Sequence, residues 1–99
     1  MPVRLESDLE KRVVKAAEKK GWWAVKLVAV GHRGFPDRWF LAPPLVEGGA
    51  PHIILIEFKA YNKRTRKLQD YVLDKLQNLG FEVHRNVDTY AKAKEILGL

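Results

Sequence analysis

Along residues 7–21, SDLEKRVVKAAEKKG, apolar side chains return at Leu9, Val13 and Ala17, with Ala16 beside them and charges elsewhere. That recurrence follows the helical period and predicts an amphipathic helix, with Ser7 and Glu10 as an S-x-x-E capping box and Gly21 as its stop. The pattern then changes. WWAVKLVAV, bounded by Gly21 and Gly31 and rich in Val and Trp, predicts a strand, and GHRGFP after it a loop. RWFLAPP and HIILIEFKA predict two further strands, joined through the turn-rich LVEGGAP as an antiparallel hairpin. Helical spacing returns in LQDYVLDKLQNLG, at Leu68, Val72, Leu76 and Leu79, and stops at Gly80. FEVHRNV alternates as a short strand does, and DTYAKAKEIL predicts a last helix with Asp88 as its cap. The order α-β-β-β-α-β-α predicts an α/β fold: a mixed central β-sheet flanked by helices.

Length and composition narrow this picture. A chain of 99 residues, 46% hydrophobic and 30% charged, has room for a single domain spanning 1–99 with one modest core. An active site must then share that core or be completed by a second copy of the chain. The net charge of +6 favours a polyanionic partner, although a merely basic, soluble protein has the same balance. There is no cysteine, which excludes disulfides and thiolate metal sites and suits a reducing compartment. No apolar run approaches the roughly 18 residues of a membrane helix, and the start MPVRLESD lacks the apolar stretch of a signal peptide. The expectation is a cytoplasmic protein with no membrane partner. His32, His52 and His84 lack the i, i+3 or i, i+4 pairing of a zinc site. No Walker loop, dinucleotide fingerprint or serine nucleophile motif occurs, so no nucleotide cofactor is expected. Trp22, Trp23 and Trp39 sit in apolar strand segments, which favours core packing over base stacking.

The strand HIILIEFKA carries the candidate chemistry. Side chains alternate across a strand, so Ile53, Leu55, Glu57 and Lys59 share one face while Ile54, Ile56 and Phe58 share the other. One face therefore turns from apolar to charged at the strand's C-terminal end. A bland reading pairs Glu57 with Lys59 at a solvated strand end. Asp37 alters the balance: it stands at the mouth of the preceding strand, 20 residues before Glu57, and hairpin pairing brings the start of one strand beside the end of the next. Two carboxylates and a lysine at one place make a hard-metal site. Mg²⁺ takes oxygen ligands, commonly one or two carboxylates, and leaves other positions for water and phosphate.

At this point a resemblance becomes specific. Gly34-Phe35-Pro36-Asp37 followed by Glu57-Phe58-Lys59 resembles the PD-(D/E)xK nuclease signature, and the G-x-P-D spelling resembles its VRR-NUC branch. Gln69, twelve residues after Glu57, and an acid on the first helix extend the similarity over nearly the whole chain. The resemblance implies a restriction-endonuclease-like core and a metal-dependent, structure-specific DNA endonuclease. It implies that Asp37 and Glu57, with the Phe58 backbone carbonyl, bind Mg²⁺ or Mn²⁺, that Lys59 serves the attacking water, and that Gln69 contacts the scissile region or steadies the metal. The first-helix acid is Glu6 or Glu10, one turn apart; Glu10 is favoured, because its eleven-residue distance to Gly21 resembles archaeal Holliday junction resolvases. Its rival role is closing the capping box. Stand-alone VRR-NUC domains resemble homodimeric resolvases, which implies a homodimer acting on branched DNA, specifically four-way junctions.

Basic residues surround these positions. Lys63, Arg64, Arg66 and Lys67 crowd the connection before Gln69, Arg33 and Arg38 flank Asp37, and Lys26 lies on the second predicted element. In a nuclease they hold phosphates without reading sequence. Other readings remain: a less selective nuclease of flaps, single strands or duplex, a non-catalytic DNA-binding module, and a basic protein-interaction domain, which leaves the clustered acids unexplained.

Overall fold

The computed structural model describes residues 6–26, 36, 38–60 and 67–99, with the backbone but not the side chain of Glu6. Asp37, Arg33, Lys63, Arg64 and Arg66 lie outside the described residues, as do 27–30 of the first predicted strand and most of the GHRGFP loop. The described elements follow the order α1 (Glu6–Lys19), β1 (Trp23–Lys26), β2 (Arg38–Ala42), β3 (His52–Phe58), α2 (Lys67–Asn78), β4 (Glu82–Val87) and α3 (Tyr90–Leu97). They form a small α/β domain with a four-stranded mixed sheet and three helices. No described helix is long and apolar enough to cross a membrane.

Strands lie in the order β1-β2-β3-β4. β1 pairs antiparallel with β2, and β2 with β3, where Arg38 faces Ile56 and Ala42 faces His52. β4 returns parallel to β3 after the α2 crossover. Alternation along β3 then separates two layers. Ile54, Ile56 and Phe58 pack with Phe40, with Val13 and Ala17 of α1, and with Ala93 and Leu97 of α3. Leu55 and Glu57 point to the opposite face, where Gln69 of α2 bonds Glu57 and Arg85 of β4 reaches α2. Phe40 and Phe58 meet edge to face at 6.4 Å between ring centres, a geometry that adds to their burial. Burying each such side chain stabilises the fold by roughly 1.5–3 kcal/mol.

Helix ends explain how the layers join. Gly21 and Gly80 have φ of +96° and +104°, and the following amides turn back: Trp22 N–H donates to Ala17 O at 3.1 Å, Phe81 N–H to Leu76 O at 3.2 Å. This left-handed close satisfies carbonyls that the helix leaves open and aims the chain into the next strand. Trp22 then anchors α3, its Nε1–H donating to Leu97 O at 3.2 Å.

Four sequence expectations need correction. Thr89, not Asp88, caps α3: its Oγ1 accepts from Lys92 N–H, while the buried Asp88 carboxylate accepts from Lys92 Nζ at 2.6 Å. Ser7 lies inside α1, and the Glu10 carboxylate goes to Arg38 instead of closing a capping box. On α2 the inward stripe is Gln69, Val72, Leu73 and Leu76, whereas Leu68 and Leu79 are exposed. The i, i+3, i+4, i+7 set was present in the sequence, but Gln69 hid its first member. Trp23, expected in the core, is 68% exposed, because β1 is an edge strand and Trp23 points away from the face that α1 covers. Trp39 packs on Phe81 at 6.0 Å.

Candidate active site

The C-terminal end of β3 brings three sequence-predicted residues together. Glu57 is buried, with a side chain only 5% exposed, and Lys59, two residues on, projects from the same face. Gln69 arrives from the first turn of α2. Its carbonyl Oε1 accepts from Lys59 Nζ at 2.7 Å, and its Nε2–H donates to Glu57 Oε1 at 3.2 Å. Lys59 Nζ stands 3.6 Å from the same Glu57 oxygen. A primary amide is suited to this bridge, since it carries an acceptor and donors on one planar group. The contact also answers the solvated-pair reading of Glu57 and Lys59: both side chains are at most 15% exposed and are held by a third residue.

Burial makes the arrangement consequential. A carboxylate removed from water costs several kcal/mol unless hydrogen bonds and an opposite charge replace the solvent. Gln69 and Lys59 supply both to Glu57. The backbone beside it is irregular. β3 and β4 are in register at Ile56 with His84, then at Phe58 with Val87, so β4 carries an extra residue opposite Glu57. Asn86 absorbs the bulge at φ +59°, a left-handed conformation that asparagine adopts more readily than most residues. The ladder resumes with Lys59 N–H donating to Val87 O at 3.0 Å.

A brace holds α2 in place. Arg85, next to the bulge, donates to Asp70 at 3.1 Å and lies 2.9 Å from Asp74, one turn further along α2. Asp70 directly follows Gln69, so the clasp fixes the turn that presents the amide. Spacing alone could not show this brace, although acids at i and i+4 of a helix mark a face ready for a cation.

Glu10 and Arg38 have a different arrangement. Arg38 donates through Nε and Nη2 to one oxygen of Glu10, at 3.2 and 2.6 Å, on the α1 side of the sheet. The side chains are 12% and 15% exposed. Glu57 faces α2, so the structure does not bring Glu10 to it. Lys26 is the register partner of Arg38, and directly opposed residues share a face, so these two cations lie side by side at the sheet's edge. Lys67 begins α2, exposed, two residues before Gln69. Pro36 is fully buried.

The fold also joins residues that are distant in sequence. His52 and His84 both approach Glu82, at 3.6 and 2.8 Å from its two oxygens. Among the described residues, no group of three or more His, Cys, Asp or Glu side chains has the arrangement of a metal site.

Glu57 offers a carboxylate, an oxygen ligand of the kind Mg²⁺ and Mn²⁺ prefer, whereas the Gln69 amide oxygen is engaged by Lys59. The chain matches no known family model and no curated protein sequence.

Proposed function

We propose that the protein is a metal-dependent DNA endonuclease of the VRR-NUC type, with a restriction-endonuclease-like core, that resolves four-way junctions as a homodimer. One observation carries the reading: a buried carboxylate, a lysine and a bridging glutamine converge at the end of one strand within 2.7–3.6 Å. These are the E-x-K and Gln positions singled out by the resemblance. Arg38, which follows Asp37 in sequence, pairs in register with Ile56, which precedes Glu57. That pairing supports Asp37 as the second carboxylate.

In this reading Glu57, Asp37 and the Phe58 carbonyl hold Mg²⁺ or Mn²⁺. The ion, when bound, lowers the pKa of water and offsets charge on the attacked phosphate. The chain's own residues do the rest. Lys59 orients the attacking water and neutralises charge developing on the phosphoryl oxygens. Gln69 keeps the Lys59 ammonium and the Glu57 carboxylate in fixed relation, so neither must reorganise during the reaction. A four-way junction needs two symmetric cuts and one chain supplies one site, which is why a two-fold dimer fits the substrate.

The test is cleavage of four-way junction, flap and linear duplex DNA in Mg²⁺ or Mn²⁺, beside Lys59→Ala and Asp37→Ala. Paired symmetric cuts of the junction, lost in both variants, are expected. Cutting of all three substrates alike favours the less selective nuclease, and metal-independent binding without any cleavage favours a non-catalytic DNA-binding module.

A further inference from the structure

The surface of α1 carries a feature that the end of β3 does not use. A groove of about 610 Å³ is lined by Lys11, Arg12, Val14, Lys15, Glu18 and Arg38. Four of these six are cations, and Lys11, Arg12 and Lys15 are exposed. Lys11 and Lys15 are four residues apart, so they stand one above the other, about 6 Å apart along the helix axis.

A row of lysines on a helix is ordinarily a solvated face. Two features separate this one from that description. The Arg12 guanidinium lies 4.0 Å from the centre of the Tyr90 ring, and Arg38 is held by Glu10 at 2.6 Å. Arg12 is therefore positioned before any ligand arrives, which lowers the entropy lost on binding, while Arg38 is fixed at the groove's end by its ion pair with Glu10. The second feature is direction. Arg38 begins β2, its Cα partner Ile56 precedes Glu57, and Lys26 lies beside it on β1. A chain of phosphates along Lys15 and Lys11 is thus led, on the face that α1 covers, towards the end of the sheet where β3 finishes. Glu18 marks the opposite limit of the groove, where a phosphate is repelled.

We infer that the α1 groove is a second contact site for duplex DNA, holding the phosphodiester backbone without reading sequence and feeding it to the end of β3. Only the identity of the polyanion rests on the nuclease reading. The groove itself contains no part of the Glu57, Lys59 and Gln69 cluster, so binding and cleavage can be separated.

The experiment measures anisotropy of a short fluorescein-labelled duplex in EDTA over a range of salt. It compares the unaltered protein with K11A/K15A, with K11R/K15R, and with K20A/K75A as a control of equal charge loss outside the groove. Circular dichroism checks each fold. K11A/K15A is expected to bind about tenfold or more weakly at low salt, and to flatten the log–log salt slope by about two units, one per lost phosphate contact. K11R/K15R restores binding, and K20A/K75A stays much closer to the unaltered protein. Equal weakening of K11A/K15A and K20A/K75A overturns the inference, as does absence of binding by the unaltered protein. Parallel cleavage assays in Mg²⁺ distinguish the two proposals. Groove-dependent binding with no cleavage leaves the groove standing and removes the nuclease, while cleavage indifferent to Lys11 and Lys15 does the reverse.

Discussion

Two polar clusters flank the same end of the sheet, and they differ in how the carboxylate is neutralised. On the α1 side Glu10 receives two guanidinium hydrogen bonds on a single oxygen, the shorter at 2.6 Å. On the α2 side Glu57 receives an amide hydrogen bond at 3.2 Å, and its lysine stands off at 3.6 Å, bonded instead to Gln69. The first is a closed ion pair, whose charges already satisfy one another. In the second, an amide bridges the two charges, which stand 3.6 Å apart without a direct hydrogen bond between them. A direct pair fixes its two partners to each other, whereas a bridged pair also fixes them to the helix that carries the bridge. Under the proposed function, Glu10 and Arg38 contribute stability, and Glu57, Lys59 and Gln69 carry the activity.

That division can be broken by measurement. The largest effect is expected from Glu57→Gln, which keeps the shape but removes the charge: junction cleavage should fall by about 10²–10³-fold, comparable with losing one electrostatic stabiliser of a transition state. Circular dichroism should show the fold retained. An active Glu57→Gln enzyme would end the assignment. Next comes Arg38→Ala, which leaves a largely buried Glu10 without its cation; urea unfolding should report a loss of about 3 kcal/mol. A Glu10→Leu, Arg38→Met double variant should recover most of it, since an apolar pair replaces two desolvated charges.

Smaller effects sharpen the contrast. Gln69→Leu preserves bulk on the inward stripe but removes both hydrogen bonds; stability should fall by about 1–2 kcal/mol, with a further drop in cleavage at saturating substrate. If cleavage were unchanged, the bridge would be structural only. The smallest change is expected from Arg85→Ala. Asp70 and Asp74 are 43% and 64% exposed, so solvent screens both pairs and the loss should stay below about 1 kcal/mol in the same unfolding assay.

The legible part of the site lay within one strand. Alternation in HIILIEFKA predicts Glu57 and Lys59 on a common face, and the structure places them there, 3.6 Å apart. Gln69 was legible by position but not by reason. Its neighbours Val72, Leu73 and Leu76 show that it heads the inward face of α2, a stripe obscured by exposed Leu68 and Leu79. Glu10 was favoured as the first-helix acid of the site, with a capping box as its rival role, and the structure adds a partner that spacing did not show: Arg38, 28 residues away. The α1 groove was missed because its members belong to a helix face and a strand end that no single periodicity joins.

The sequence by itself determined the order of the elements and where α1 and α2 stop, since these depend on neighbours a few residues apart: the stripe of Leu9, Val13 and Ala17, the turns at Gly21 and Gly80, and the alternation that aims Glu57. Only the tertiary structure decided which charges meet. Coulomb and hydrogen-bond energies depend on distance in space, and strand register together with the α2 crossover sets that distance. Register places Arg38 beside Ile56, the crossover seats Gln69 over Glu57, and the bulge at Asn86 shapes the backbone beside them. Two glutamates of similar chemistry, Glu10 and Glu57, thereby acquire different partners on opposite faces of the sheet.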